Sequence, residues 1–182
     1  MAGPEAVSAS AGPLSGARVE ARDAGRAGAG GVRLEVHGLA HRFGELAVLD
    51  GLSFTVEPGQ VYGLLGPNGS GKSTTLRVLT GLLQPQSGEL RLDGQLVEPG
   101  GRALRQRMGV VFQAPSLDGR LTARENLALG AALYGVASAE AARRIDELLE
   151  LTALAVRQDD PVLEFYGGIK RRLELARAMV QG

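Results

Sequence analysis

Nine consecutive residues, Gly66-Pro67-Asn68-Gly69-Ser70-Gly71-Lys72-Ser73-Thr74, hold the types and spacing best suited to chemistry in this chain. They read G-x-x-x-x-G-K-[ST]. Glycines let a backbone turn tightly enough for successive N–H groups to face one point, and a lysine adds a mobile positive charge beside them. The chemistry this serves is capture of a polyphosphate. Lys72 reaches the outer phosphates and the Ser73 hydroxyl is placed for Mg²⁺. A chance glycine turn is the bland alternative, and the flanking residues argue against it. Val61-Tyr62-Gly63-Leu64-Leu65 before the loop is an apolar run of buried-strand type. After it, residues 75–80 have helical spacing and stop at Gly81. A strand, a tight turn and a helix in that order aim the positive end of the helix dipole at the bound phosphates.

The elements that must hold this loop can be read on either side of it. Val32-Arg33-Leu34-Glu35-Val36-His37 alternates with period two, as a half-exposed strand does. Val48-Leu49 and Leu52-Ser53-Phe54-Thr55-Val56 flank Asp50-Gly51 and predict further antiparallel structure. Residues 88–94 form a short strand with a turn, and Met108-Gly109-Val110-Val111-Phe112 is a candidate buried strand ending at Gln113. Beyond Pro115 the pattern is helical over 122–134 and over 138–151, with Ser138 as N-cap, and a final helix starts near Gly167-Gly168 and runs through Met179. Strands first, a mostly helical insert over about 114–165, then helix again predicts an α/β core carrying a helical subdomain.

Composition bounds the partners. The 182 residues have zero formal net charge, which leaves no electrostatic footprint for nucleic acid. With no cysteine, disulfides and thiolate metal sites are excluded. No apolar run approaches the length of a membrane span. Residues 1–31 are rich in Ala, Gly, Ser and Pro without hydrophobic periodicity, so they read as a disordered leader to a domain over 32–182. His37 and His41 are candidate general bases by type, but both precede the glycine loop, and Arg171-Arg172 reads as a solvated helix face.

Four further placements give the chain a resemblance to a known family. Phe43 stands in His41-Arg42-Phe43-Gly44, and Gln113 ends the run Val110-Val111-Phe112. Residues 117–127 carry Leu-Asp-Gly-Arg-Leu-Thr-Ala-Arg-Glu-Asn-Leu, and Phe165-Tyr166-Gly167-Gly168-Ile169-Lys170-Arg171-Arg172-Leu173-Glu174-Leu175 opens the last helix. With the glycine loop, these make the chain resemble the ATP-binding subunit of ABC transporters, in particular the multidrug and antibiotic exporter type. The resemblance implies ATP and Mg²⁺ as cofactors, with adenine stacked on Phe43 and phosphates held by Gly66, Pro67, Asn68, Gly69, Ser70, Gly71, Lys72, Ser73 and Thr74. It implies Mg²⁺ contacts from Ser73 and Gln113, with Gln113 also touching the attacking water. It further implies that Tyr166, Gly167 and Gly168 meet ATP bound to a second subunit. The implied fold is a P-loop NTPase core with an N-terminal antiparallel β region. The implied partners are a homo- or heterodimer of ATP-binding subunits and a separate permease, on the cytoplasmic face of the cell membrane.

Two departures from the family pattern stand out. The family places an apolar strand ending in Asp-Glu, then a switch histidine, after the signature helix, and neither occurs before Val180-Gln181-Gly182. Ile145-Asp146-Glu147 has the acidic pair on a helical stretch, and Leu46-Ala47-Val48-Leu49-Asp50 has the apolar run on the wrong side of the glycine loop. The expectation is a truncated domain with an incomplete sheet, unable to hydrolyse ATP alone. A non-catalytic remnant that binds ATP without turnover is the alternative; a P-loop nucleotide kinase would need a lid and an acceptor site, for which Gln113 and Gly167 offer nothing. The second departure is Tyr166, where the family signature has serine.

Overall fold

The computed structural model describes residues 31–114 and 116–181, with the backbone of 18–23. Two compact units emerge, Met1–Arg105 and Gln106–Gly182.

In the first unit, β2 (Leu34–Phe43) and β3 (Leu46–Val56) form a hairpin turning at Gly44, whose φ of 56° suits a residue without Cβ. Asp50-Gly51 does not turn the chain. β3 runs straight through it, and the pairing slips between Leu39↔Leu52 and His41↔Leu49. The other edge of β2 pairs with β5 (Ser87–Leu92), which pairs with β6 (Gln95–Val97). The order β3-β2-β5-β6 is antiparallel throughout. Val36 and Leu39 reach the buried face on either side of a register shift in β2, Leu52, Phe54 and Leu90 join them there, and helix α1 (Lys72–Leu79) adds buried Val78 and Leu79. A short helix α2 (Arg102–Arg105) closes the unit with buried Leu104.

The strand feeding the glycine loop, β4 (Gln60–Leu65), lies outside that sheet. It pairs antiparallel with β1 (Arg18–Asp23), from Arg18↔Leu65 to Asp23↔Gln60. Residues 18–23 therefore depart from the disordered leader expected over 1–31, and residues 1–17 and 24–30 of that leader lie outside the described residues. The physical reason is the edge: an apolar strand presents a row of N–H and C=O groups that another extended segment can satisfy. Val61 and Leu65, expected to be buried, are 60% and 47% exposed, because packing reaches β4 mainly through Tyr62, which stacks on Phe54 at 4.9 Å between ring centres.

The second unit is three helices, α3 (Ala123–Leu133), α4 (Ser138–Leu151) and α5 (Gly167–Met179), packed pairwise. Their common core joins Leu127, Ile145, Leu149, Leu154, Phe165 and Leu173. Thr122 starts α3 with a reciprocal cap: its hydroxyl accepts from the Glu125 N–H at 3.1 Å, and Glu125 accepts from the Thr122 N–H at 2.8 Å. Ser138, by contrast, is the first helical residue of α4 and not its cap; Ala137 holds that position without a side-chain bond. Met108–Phe112 is not a strand. No strand among the described residues runs beside it, and it lies instead along α5, so close that a Cβ on Gly109 would stand 2.0 Å from the Ala178 carbonyl oxygen. The helical unit thus begins at Gln106 and includes α5, wider at both ends than the insert read from the sequence.

Candidate nucleotide site

The glycine loop leaves β4 at Gly66 and enters α1 at Lys72. Gly71 is the helix N-cap in the left-handed region, φ 88°, and a Cβ there would lie 2.7 Å from the Val48 carbonyl oxygen. Both conditions demand glycine. No side chain caps α1, and its first turn has no acidic residue. The first helical bond, from Thr75 N–H to Gly71 O at 2.8 Å, leaves the amides before it directed into the loop. Residues 66–69 are exposed, as is Ser73. The Lys72 ammonium donates to Gly66 O and Pro67 O, both at 2.7 Å, and to Ser70 Oγ at 3.3 Å. The one cation of the loop is held across its mouth by the loop's own acceptors.

These features fit a magnesium polyphosphate. Uncapped amides, a lysine and an exposed hydroxyl are acceptor-seeking or metal-seeking groups with no carboxylate competing in the first turn. Beside them a cleft of about 520 Å³ runs from Lys72 and Ser73 down to Phe54, Tyr62, Leu64 and Leu76. The Tyr62 hydroxyl is buried there without a hydrogen-bond partner among the described residues, and burial pushes its pKa up to about 12.

Phe43 ends β2 opposite Leu46, 48% exposed, with His41 edge-on at 4.6 Å between ring centres. It does not cap a core. Leu46 is two residues along β3 from Val48, whose carbonyl backs Gly71, so one strand places Phe43 a short step from the loop. His41 is buried, consistent with a packed side chain and not a general base.

The remaining sequence candidates belong to the second unit. Gln113 is exposed in the bend after Phe112. Tyr166 is the N-cap of α5, its side chain 82% exposed and its hydroxyl uninvolved in capping. Among the described residues nothing lies within 4 Å of a Cβ built on Gly167 or Gly168. Their amides precede the first α5 bonds, from Ile169 and Lys170 to Tyr166 O, both 3.0 Å.

Sequence reasoning missed a set of contacts on α5. Arg171, read as solvated, donates to Phe112 O at 2.8 Å and pairs with buried Glu174 at 3.3 Å. Arg172 reaches Thr152 O at 3.3 Å. A carboxylate at an otherwise apolar helix position, three residues from arginine on either side, was the available signal.

Strand, glycine loop and helix with this lysine are the arrangement of the phosphate-loop class. The family model described as ABC transporter matches residues 49–182, and the chain belongs to the ABC transporter ATP-binding subunit family. It is 44% identical over 147 residues to the Nod factor export ATP-binding protein I of Ralstonia nicotianae, covering 81% of this chain and 46% of the relative. Against the protein of the same name from Paraburkholderia xenovorans identity is 47% over 138 residues, 76% of this chain and 45% of the relative. The chain thus spans about half the length of these curated relatives. Among solved structures, the ATP binding subunit of an ABC transporter superposes with a TM-score of 0.66 at 28% identity, covering 81% of this chain and 62% of that one. An ATP-binding cassette of an ABC transporter in its ADP conformation gives 0.67 at 26% identity, covering 82% and 65%. The fold is α/β of the ABC ATPase kind.

Proposed function

We propose that this chain binds MgATP at Gly66–Thr74 as the ATP-binding subunit of an exporter, and that in a complete assembly ATP hydrolysis drives a separate membrane permease. The observation carrying the reading is the loop: a left-handed Gly71 against Val48, uncapped amides and Lys72 at its mouth. Lys72 and the loop amides would hold the phosphates, Ser73 and Gln113 would hold Mg²⁺, and Phe43 would stack on adenine. Mg²⁺, when bound, neutralises developing phosphate charge. Tyr166, Gly167 and Gly168 would meet the nucleotide of a second ATP-binding subunit. Their geometry favours this, since no described residue is a steric neighbour of either glycine, and a bare backbone leading into a helix serves an approaching anion. The likeness to Nod factor export proteins supports export as the direction of transport. Among the described residues no helix is long and apolar enough to cross a membrane; in this reading a separate permease spans it, with this subunit on the cytoplasmic face.

A second reading concerns turnover. The alternative is a nucleotide-binding module that holds ATP without turning it over. Binding geometry is tested by photolabelling with 8-azido-ATP and peptide mapping. The label should fall on the peptide containing Phe43 and be competed by ATP; label confined to other peptides would overturn the adenine placement.

A further inference from the structure

We propose that Arg171, Glu174 and Arg177 are positioning residues, a clamp on α5 that sets where Gln113 stands relative to the Tyr166–Gly168 turn. This rests on the reading of Gln113 and of that turn as nucleotide contacts. The three side chains stand at i, i+3 and i+6, on one face of the helix. Each bonds the segment that carries Gln113. Arg171 Nη1 donates to Phe112 O at 2.8 Å, one residue before Gln113. Glu174 Oε1 accepts from the Ser116 N–H at 3.0 Å, three residues after it. Arg177 Nη1 donates to Ser116 O at 2.7 Å, and its Nη2 donates to Ser116 Oγ.

Two features separate this from ordinary packing. Glu174 is only 5% exposed, and a buried carboxylate is costly where a leucine would fill the same space. Its oxygens are committed, one to the Ser116 amide and the other to Arg171 at 3.3 Å. The backbone also makes room for the clamp: a Cβ on Gly130 would lie 2.8 Å from Arg177 Cγ, so the arginine stem crosses α3 where a side chain is missing. The clamp grips both sides of Gln113 and leaves Gln113 and Ala114 exposed. Arg171 is one helical turn from Gly167-Gly168. One rigid helix therefore carries the turn at its tip and the grip on the glutamine segment along its side. A shift at one is passed to the other.

The chain has no cysteine, so two introduced cysteines carry spin labels at chosen sites only. Electron-electron distance distributions are measured for Ala114→Cys with Tyr166→Cys, and for Leu133→Cys with Tyr166→Cys as a control on the same unit. Glu174→Ala should widen the first distribution about twofold or more by freeing the segment to fray, and leave the control pair unchanged. Glu174→Gln keeps an acceptor for the Ser116 amide and should restore most of the narrow distribution. If Glu174→Ala does not fold, Arg171→Ala, at an exposed position, is measured in its place with the same expectation. An unchanged first pair, or equal widening of both pairs, would overturn the clamp. Nucleotide is absent from the measurement, so the outcome is independent of whether the glycine loop binds ATP.

Discussion

Lys72 shows how a single side chain can organise the loop around it. Its ammonium rests on Gly66 O, Pro67 O and Ser70 Oγ, so the charge is pre-placed and the loop is braced around it. Tyr166 poses the opposite case, a large side chain where the family has a small hydroxyl. The residue is 82% exposed and makes no side-chain cap, so no contact among the described residues requires it. Replacing it with serine should leave ATP affinity unchanged, because the glycine loop is built from other residues. ATP-dependent self-association should tighten by about 0.5–3 kcal/mol, a gained hydrogen bond plus relief of bulk. Sedimentation velocity with and without MgATP reads this; equal dimerisation of Tyr166 and Tyr166→Ser would make the tyrosine a neutral variant. The loop residues were legible in the sequence because glycine and lysine have few other reasons to stand at that spacing. Glu174 was not, because what makes it unusual is burial, and burial belongs to the packed helix.

At the scale of elements, strands and helices with local signals were legible and those decided by neighbours were not. Helix α3 is expected over 122–134 and the alternation of 32–37 marks β2, but the hairpin turns at Gly44 and not at Asp50-Gly51. Residues 108–112 have strand composition, yet a strand exists only by pairing, and this segment lies along α5 instead. β1 was illegible for the same reason: its pairing with β4, from Arg18↔Leu65 to Asp23↔Gln60, satisfies a distant edge, and nothing in its composition announces it. The contact between Gly109 and α5 gives a direct check. In Gly109→Ala the new methyl meets backbone, the Ala178 carbonyl, which cannot rotate away. The expected loss is about 1–3 kcal/mol, seen as a melting point lower by several degrees in circular dichroism. A melting point equal to the parent's would show that the segment does not lie against α5 in solution.

For the whole molecule, what can be built from these residues is a nucleotide-binding unit and a helical unit of an ABC ATPase, about half the length of its curated relatives. The family was legible from motifs scattered over both units, since each needs particular residue types; partner and transported substrate leave no such mark in this chain. The purified chain should release phosphate from ATP at no more than the background rate, even at protein concentrations that favour dimers. Phosphate release that is robust and abolished by Lys72→Ala would place a catalytic carboxylate within these residues. The central claim is that Gly66–Thr74 is the ATP site, and it is met most directly by titrating a fluorescent ATP analogue into the parent and Lys72→Ala chains in Mg²⁺. Loss of a charge-assisted contact of about 1.5–3 kcal/mol should weaken binding by about tenfold or more. Equal affinity of the two folded chains would contradict it.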